Sequence, residues 1–419
     1  MAARQGRSAF PFGCVIALCL LAFAVGAGCA IVRRDVLADP LTSIFAPALP
    51  KWTRTEAVTL LLLGTDKRDG EEGPSRSDTM MLAMLDPASK HISLLSIPRD
   101  LWVNIPGHGE NRINTAFFQG QSYDIPAGGP GLAALAVTYN FGVPIDYWAT
   151  VDFRGFERVI DALGGINVDV PYEIVDPEYP DDNYGVMTVR FPAGEQHLDG
   201  VRALQYARTR HGSSDFERAR RQQQVVRAAL DKVLSAEVLP KLPRLARALS
   251  DSVQTNAEPD LILALAGFVR QSQAFTLDNR VIDESLASNY VTNSGAWVLL
   301  PDWPGIQALI QEMFAPRLAQ GQPLANVGVR IENGTSLPGL AAQMGAFLQN
   351  QGAVITATID RGDNVDRTML FVYAPAAEAV QYLISIYHLE QDQVATAEGG
   401  PAQTHLTLIL GWDVIEGEW

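Results

Sequence analysis

VTLLLLGTDKRDGEEGPSRSDTMMLAMLDPASKHISLLSIPRD, from Val58 to Asp100, is the stretch on which the architecture turns. Val58 to Leu63 is a nearly continuous apolar run, the pattern of a strand covered on both faces, and it empties into Gly64-Thr65-Asp66-Lys67-Arg68. The loop that follows is polar and carries glycine up to Ser75-Arg76-Ser77-Asp78. Thr79 to Leu85 then reads as a second strand, Asp86-Pro87-Ala88-Ser89 as a turn, and Ile92 to Ile97 as a third strand closed by Pro98-Arg99-Asp100. An antiparallel meander of the three would gather Asp66, Asp78 and Arg99 on one sheet edge. The length of chain between Gly64 and Asp78 leaves a parallel crossover open as well.

Downstream, Asn111-Arg112-Ile113-Asn114 leads into a glycine-rich loop, and Gly129-Pro130-Gly131 opens a helix through Tyr139. Gly129, Gly131 and Ala134 mimic a dinucleotide fingerprint, but no strand precedes them and Pro130 suits a first helical position, which favours plain helix initiation. Tyr147 to Val151 reads as strand, Phe153 to Leu163 as helix ending at Gly164-Gly165, and Ile166 to Val170 as strand. That alternation predicts an α/β fold, an α/β/α sandwich spanning 58–316. From Ala236 to Phe314 the reading is mainly helical, with apolar stripes at Leu242 to Leu249 and Leu261 to Val269. Residues 317–326 form a linker. Beyond it, 327–415 follows the order βαββαβ, which predicts a smaller α+β domain of ferredoxin-like type.

Upstream, Ser8 to Val32 carries no charge and is long enough to cross a bilayer as a helix. We read 10–32 as a transmembrane signal anchor behind a short cytoplasmic segment (1–9), with a proline-bearing tether over 33–57 and the remaining chain outside the cytoplasm. A cleaved signal peptide, or a lipoprotein acylated at Cys29, is the alternative. All three cysteines, Cys14, Cys19 and Cys29, fall in that segment, so neither disulfides nor thiolate metal sites hold the rest together. A formal net charge of −15 argues against a general nucleic-acid binder.

Against that acidic background, Tyr206 to Val226 (YARTRHGSSDFERARRQQQVV) holds Arg208, Arg210, Arg218, Arg220 and Arg221. Guanidinium forks suit phosphate better than ammonium groups do. From Asp215 the pattern is helical, and Arg218, Arg221, Gln222 and Val225 share one face near the helix N-terminus, where an anion is favoured. A solvated charged face is the rival reading. Mg²⁺ is commonly held by one or two carboxylates together with substrate phosphates and water. Asp66 and Asp78 beside such arginines therefore make a parts list for phosphoryl transfer, with a salt-bridge cluster as the plainer alternative. The six histidines are scattered, and no GxSxG, Walker loop or HExxH is present.

Taken together, Leu61-Leu62-Leu63-Gly64-Thr65-Asp66, Arg76-Ser77-Asp78-Thr79, Ser96-Ile97-Pro98-Arg99-Asp100, Arg112-Ile113-Asn114, Asp161-Ala162-Leu163-Gly164-Gly165 and the tract from Leu198-Asp199-Gly200 to Arg221-Gln222 resemble the successive motifs of the LytR-CpsA-Psr family. Glu332-Asn333-Gly334-Thr335 and Pro338-Gly339-Leu340-Ala341 resemble the C-terminal domain often appended to it. The resemblance implies a membrane-anchored, outward-facing transferase that moves a glycopolymer from a polyprenyl-pyrophosphate carrier to peptidoglycan, with the lipid in an apolar slot of the α/β core. It implies Asp66 and Asp78 as Mg²⁺ ligands and, with Arg99, as the catalytic set. It further implies that Arg99, Arg208, Arg210, Arg218 and Gln222 grip the pyrophosphate, with Arg76 and Arg221 close by. The general base stays open between Asp66 and Asp78. A lipid-pyrophosphate hydrolase and a non-enzymatic wall-polymer binder are the alternatives to the transferase.

Overall fold

The structure, a computed structural model, describes residues 56–66, 73–123, 128–180, 185–209, 215–234, 248, 252–258, 261, 276–318 and 323–416. The expected anchor lies outside them, as do the tether apart from residues 56 and 57 and the proposed stripes at 242–249 and 261–269 apart from residues 248 and 261. Among the described residues no helix is long and apolar enough to cross a membrane. The described chain forms two compact units, one of residues 56, 61–99 and 148–285, the other of 57–60, 100–147 and 286–416.

In chain order the elements begin with β1 (Val58–Thr65), β2 (Ser77–Asp86), β3 (His91–Ile97) and a hairpin, β4 (Trp102–Ile105) with β5 (Gly109–Arg112). Helices α1 (Thr115–Ser122) and α2 (Gly128–Phe141) precede β6 (Tyr147–Val151), α3 (Phe153–Leu163) and β7 (Ile166–Val170). Next come the hairpin of β8 (Ile174–Pro180) and β9 (Val186–Phe191), then β10 (Gly194–Leu198), α4 (Gly200–Arg208) and α5 (Asp215–Leu234). Strands β11 (Val253–Thr255), β12 (Thr276–Val281), β13 (Ala287–Val291) and β14 (Trp297–Pro301) lead to α6 (Trp303–Phe314).

The main sheet has six strands in the order β11-β6-β1-β2-β3-β12. Every residue of β1 and β2 is buried, as their unbroken apolar runs require of central strands. β2 and β3 are antiparallel, while β12 runs parallel to β3 along its whole length. The fold class is therefore α/β, as expected.

Two expectations fail here. The glycine-rich segment after Asn114 is a helix, α1, not a loop. Its Gly120 serves close approach: a Cβ there would lie 2.3 Å from the carbonyl oxygen of Gly128 at the start of α2. Within the region expected to be mainly helical, Thr276 to Val291 holds two strands, and a third, Trp297 to Pro301, precedes the expected last helix. β12 and β13 are partly exposed and lack an apolar run of their own; β12 is specified by its ladder with β3, so tertiary pairing overrides local pattern.

The C-terminal segment holds β15 (Gly328–Asn333), α7 (Leu340–Asn350), β16 (Val354–Asp360), β17 (Met369–Val372), α8 (Ala377–Tyr387), β18 (Val394–Thr396), β19 (Leu406–Leu410) and a last helical turn, α9 (Asp413–Glu416). Its sheet order is β16-β15-β19-β17-β18. A ferredoxin-like domain splits its βαβ unit with a strand between, whereas β15 and β16 pair directly and in parallel. The expected order of elements is present, with β18 added, but the topology is not ferredoxin-like.

In the second unit a buried carboxylate joins distant parts of the chain. Asp146 accepts hydrogen bonds from the Thr59 amide (2.6 Å) and hydroxyl (2.8 Å) through Oδ2. Its Oδ1 meets the Arg317 guanidinium, and His388 Nδ1 stands 3.7 Å away. Arg317 is itself largely buried, so Asp146→Ala would strand its charge. We expect that variant to lose about 3–5 kcal/mol of stability in denaturant unfolding. Asp146→Asn, which keeps an acceptor for Thr59, should lose less; equal losses would show that the ion pair contributes little.

Candidate anion-binding active site

The β2–β3 register sets the centre of the site. Met80 pairs with Ile97 across the antiparallel ladder, so two residues further along each strand Asp78 faces Arg99. Arg99 Nη1 donates to Asp78 Oδ1 at 2.9 Å, and the Asp78 side chain is fully buried. Asp66 follows the end of β1, the strand beside β2, and its Oδ1 accepts from the backbone amide of Arg76 at 3.3 Å. Burial pushes the Asp78 carboxyl up to about 7, against the pull of Arg99 and Arg218 and with a further push from the Asp66 charge. Asp66, Arg99 and Arg218 are thus each close enough to act on Asp78. Among the described residues no group of three or more His, Cys, Asp or Glu side chains clusters as a metal site, so a cation here would rest on the aspartate pair.

The arginine helix presents the face that its spacing predicts. Arg218 (5% exposed), Arg221 (4%), Gln222 (7%) and Val225 (0%) are all buried. Arg220 is not: its side chain is 55% exposed and lies 3.7 Å from Asp283 and from Glu284. A solvated charged face is therefore excluded for Arg218 and Arg221. Arg221 Nη2 donates to the Thr209 carbonyl at 2.5 Å, and burial holds its pKa below the ordinary arginine value. Gln222 Nε2 and Asp78 Oδ2 are buried polar atoms without a hydrogen-bond partner.

Arg208, 6% exposed, is the last residue of α4, where a cation complements the helix dipole. α4 is seated by the two motifs that precede it. Asp199 caps its N-terminus, accepting from the Arg202 amide, and Asp161 Oδ1 of α3 accepts from the Gly200 amide at 2.8 Å. A Cβ at Gly200 would lie 2.3 Å from the Glu157 carbonyl oxygen, so only glycine allows this approach to α3. The Arg208 Cζ atom sits 4.3 Å from the Phe153 ring centroid and 5.3 Å from that of Tyr179. Arg76 is exposed, and Arg210 lies outside the described residues.

Sequence reasoning did not find Phe153, Tyr179 or Gln223. Gln223 Nε2 donates to Ser96 Oγ (3.1 Å) and to the Arg280 carbonyl (2.8 Å), tying α5 to β3 and β12. The available signal was three consecutive glutamines inside an amphipathic helix, which cannot all face solvent if the helix is packed on several sides.

The raised Asp78 pKa makes a stability claim. Its ordinary value is 3.8, so the native state favours the protonated form, and the stability that this form supplies is lost as pH rises through about 7. In chelator-treated protein Asp78→Asn should therefore be more stable than wild type at pH 8, by up to about 4 kcal/mol, and no more stable near pH 4. Thermal melts across that range test it. A difference that stays constant with pH would show that Asp78 does not titrate in this way.

The model of the LytR_cpsA_psr family matches residues 39–314, more than half of the chain. That of the LytR cell envelope-related transcriptional attenuator matches residues 326–413. The chain is 34% identical over 238 residues to TagU of Oceanobacillus iheyensis, a polyisoprenyl-teichoic acid–peptidoglycan teichoic acid transferase, covering 55% of this chain and 70% of TagU. It is 35% identical over 202 residues to the regulatory protein MsrR of Staphylococcus aureus, covering 48% of this chain and little more than half of MsrR, 56%. The crystal structure of Bacillus subtilis TagV is similar with a TM-score of 0.51 and 30% identity, over 64% of this chain and 100% of that one. With its family model matched over residues 39–314, the chain belongs to the LytR-CpsA-Psr family.

Proposed function

We propose that this protein is a glycopolymer–peptidoglycan phosphotransferase that takes its glycan from a polyprenyl-pyrophosphate carrier. The observation that carries the reading is the burial of Arg208, Arg218, Arg221 and Gln222 in the part of the fold that holds the Asp78–Arg99 pair. Guanidiniums removed from water in this number suit a multiply charged anion, and a pyrophosphate offers oxygens for several forks at once. Membership of a family that includes TagU, named for transfer of teichoic acid to peptidoglycan, supports the acceptor.

In the reaction an acceptor hydroxyl oxygen attacks the phosphorus that bears the glycan. The bond from that phosphorus to the bridging oxygen breaks, polyprenyl phosphate departs with the bond's electrons, and the acceptor hydroxyl's proton passes to Asp66 or Asp78 as general base. Arg99, Arg208, Arg218 and Arg221 hold the equatorial oxygens and stabilise the charge that develops. Burial of these groups excludes water, which would otherwise compete with the acceptor as nucleophile. The aspartate pair fits a divalent cation. Asp78 Oδ2 is buried without a hydrogen-bond partner, and the Asp66 charge opposes ionisation of Asp78. Asp66 and Asp78 would hold Mg²⁺, which supplies neutralisation of pyrophosphate charge. The charge-free Ser8–Val32 stretch would anchor the chain with residues 51–419 outside the cytoplasm. Protease added to spheroplasts should then remove that portion; protection until the membrane is broken would reverse the assigned orientation.

Incubation with a lipid-linked glycan, with and without peptidoglycan oligomers, tests the reaction. A glycan–peptidoglycan product is expected; free glycan phosphate would instead indicate a hydrolase, and unchanged lipid a binding protein. Asp78→Ala should abolish turnover while the protein stays folded. Arg208→Ala and Arg218→Ala should each weaken binding of the pyrophosphate lipid about tenfold or more, since each charge-assisted contact contributes roughly 1.5–3 kcal/mol. Arg218→Lys should recover only part of that loss. The exposed Arg220→Ala serves as the control, and equal losses at Arg218 and Arg220 would contradict the site.

A further inference from the structure

The hairpin of β8 and β9 carries no motif, yet β8 sends side chains into the arginine cluster. Strand alternation breaks within it: Ile174 and Asp176 are buried, Pro177 and Glu178 are both exposed, and Tyr179 is buried. The ladder with β9 slips at the same place, between Asp176 and Tyr179. An extra residue in a strand reverses the facing of everything beyond it. In an unbroken strand Glu178 would share the inward face with Ile174 and Asp176. The irregularity turns Glu178 outward and delivers Tyr179 in its place, and the Glu178 amide bonds back to Asp176 Oδ1 at 3.1 Å to hold the turn.

The exchange matters because of what Tyr179 meets. Its ring and that of Phe153, the first residue of α3, both lie against the Arg208 guanidinium. A carboxylate at that place would take the guanidinium's N–H fork and cancel its charge. A ring attracts the same cation through its face and leaves the N–H groups at the edge for another acceptor. We propose that Tyr179 and Phe153 are positioning residues for the pyrophosphate grip, fixing the plane of Arg208 so that its donors meet a phosphate already aligned. The inference rests on the function proposed above and adds the β8–β9 hairpin to the site.

Binding of farnesyl pyrophosphate to the full chain in detergent, followed by calorimetry, separates this role from simple packing. Tyr179→Leu and Phe153→Leu should each weaken binding by roughly three- to thirtyfold, the worth of a partly desolvated cation–ring contact. Tyr179→Phe, which keeps the ring, should bind as wild type does. In an Arg208→Ala background, Tyr179→Leu should have no further effect on affinity, because the two residues act through one guanidinium. If Tyr179→Leu unfolds, the same cycle is run with Phe153→Leu. Wild-type affinity in the leucine variants, or losses that simply add to that of Arg208→Ala, would overturn the inference while leaving the transferase reading in place. Failure of the wild-type chain to bind farnesyl pyrophosphate would overturn both.

Discussion

A carboxylate buried at a strand start, facing a guanidinium at the end of the next strand, is the constraint on which the site depends. Asp78 and Arg99 are not brought together by a flexible loop; the antiparallel register of β2 and β3 sets them opposite each other. Shifting that register by one residue would turn Asp78 to the other face of the sheet and place it against the wrong neighbours. Both β1 and β2 are buried throughout, so such a slip would have to repack a close-packed interior on both faces. Chemistry at the edge is therefore guaranteed by packing in the interior. The unfavourable part of the arrangement is a carboxyl pushed up by burial and by the Asp66 charge.

The second requirement is that α5 sit at a fixed height above this edge. Its three glutamines divide the work. Gln222 shares the buried face with Arg218 and Arg221. Gln223 bridges to β3 and β12, and Gln224 accepts from the Tyr206 hydroxyl of α4 at 2.7 Å. Arg221 in turn bonds the carbonyl of Thr209, just past Arg208. The two arginine-bearing helices are thereby locked to each other and to the sheet, and the charged groups do not depend on ligand to keep their places.

Much of this was legible. Long apolar runs announce β1 to β3, and helical spacing alone separates Arg218 and Arg221 from Arg220. What could not be read is whatever depends on pairing between distant segments. β12 has too little apolar character to declare itself a strand, and its identity comes from β3. Gly120 looked like a loop residue because close helix approach and loop flexibility select the same amino acid. In the C-terminal sheet the order of elements was visible, but which strand lies beside which is not written in hydrophobic periodicity. Tyr179 was hidden for the same reason: a strand irregularity is a property of two strands, and Asp176-Pro177-Glu178-Tyr179-Pro180 read alone suggests only a turn.

Asp146 has one more consequence, in time. Its partners Thr59, Arg317 and His388 come from the start of β1, from after α6 and from the end of α8. Contacts of such sequence separation close late, because the loop entropy is spent before any of them contributes. A ribosome releasing this chain from its N-terminus will have delivered the arginine helix, and both aspartates of the site, well before His388 emerges. The segment that starts β1 must therefore wait, incompletely anchored, for residues more than three hundred positions away. A nascent chain truncated after the catalytic motifs would carry every residue of the site and still lack the closure that finishes its fold.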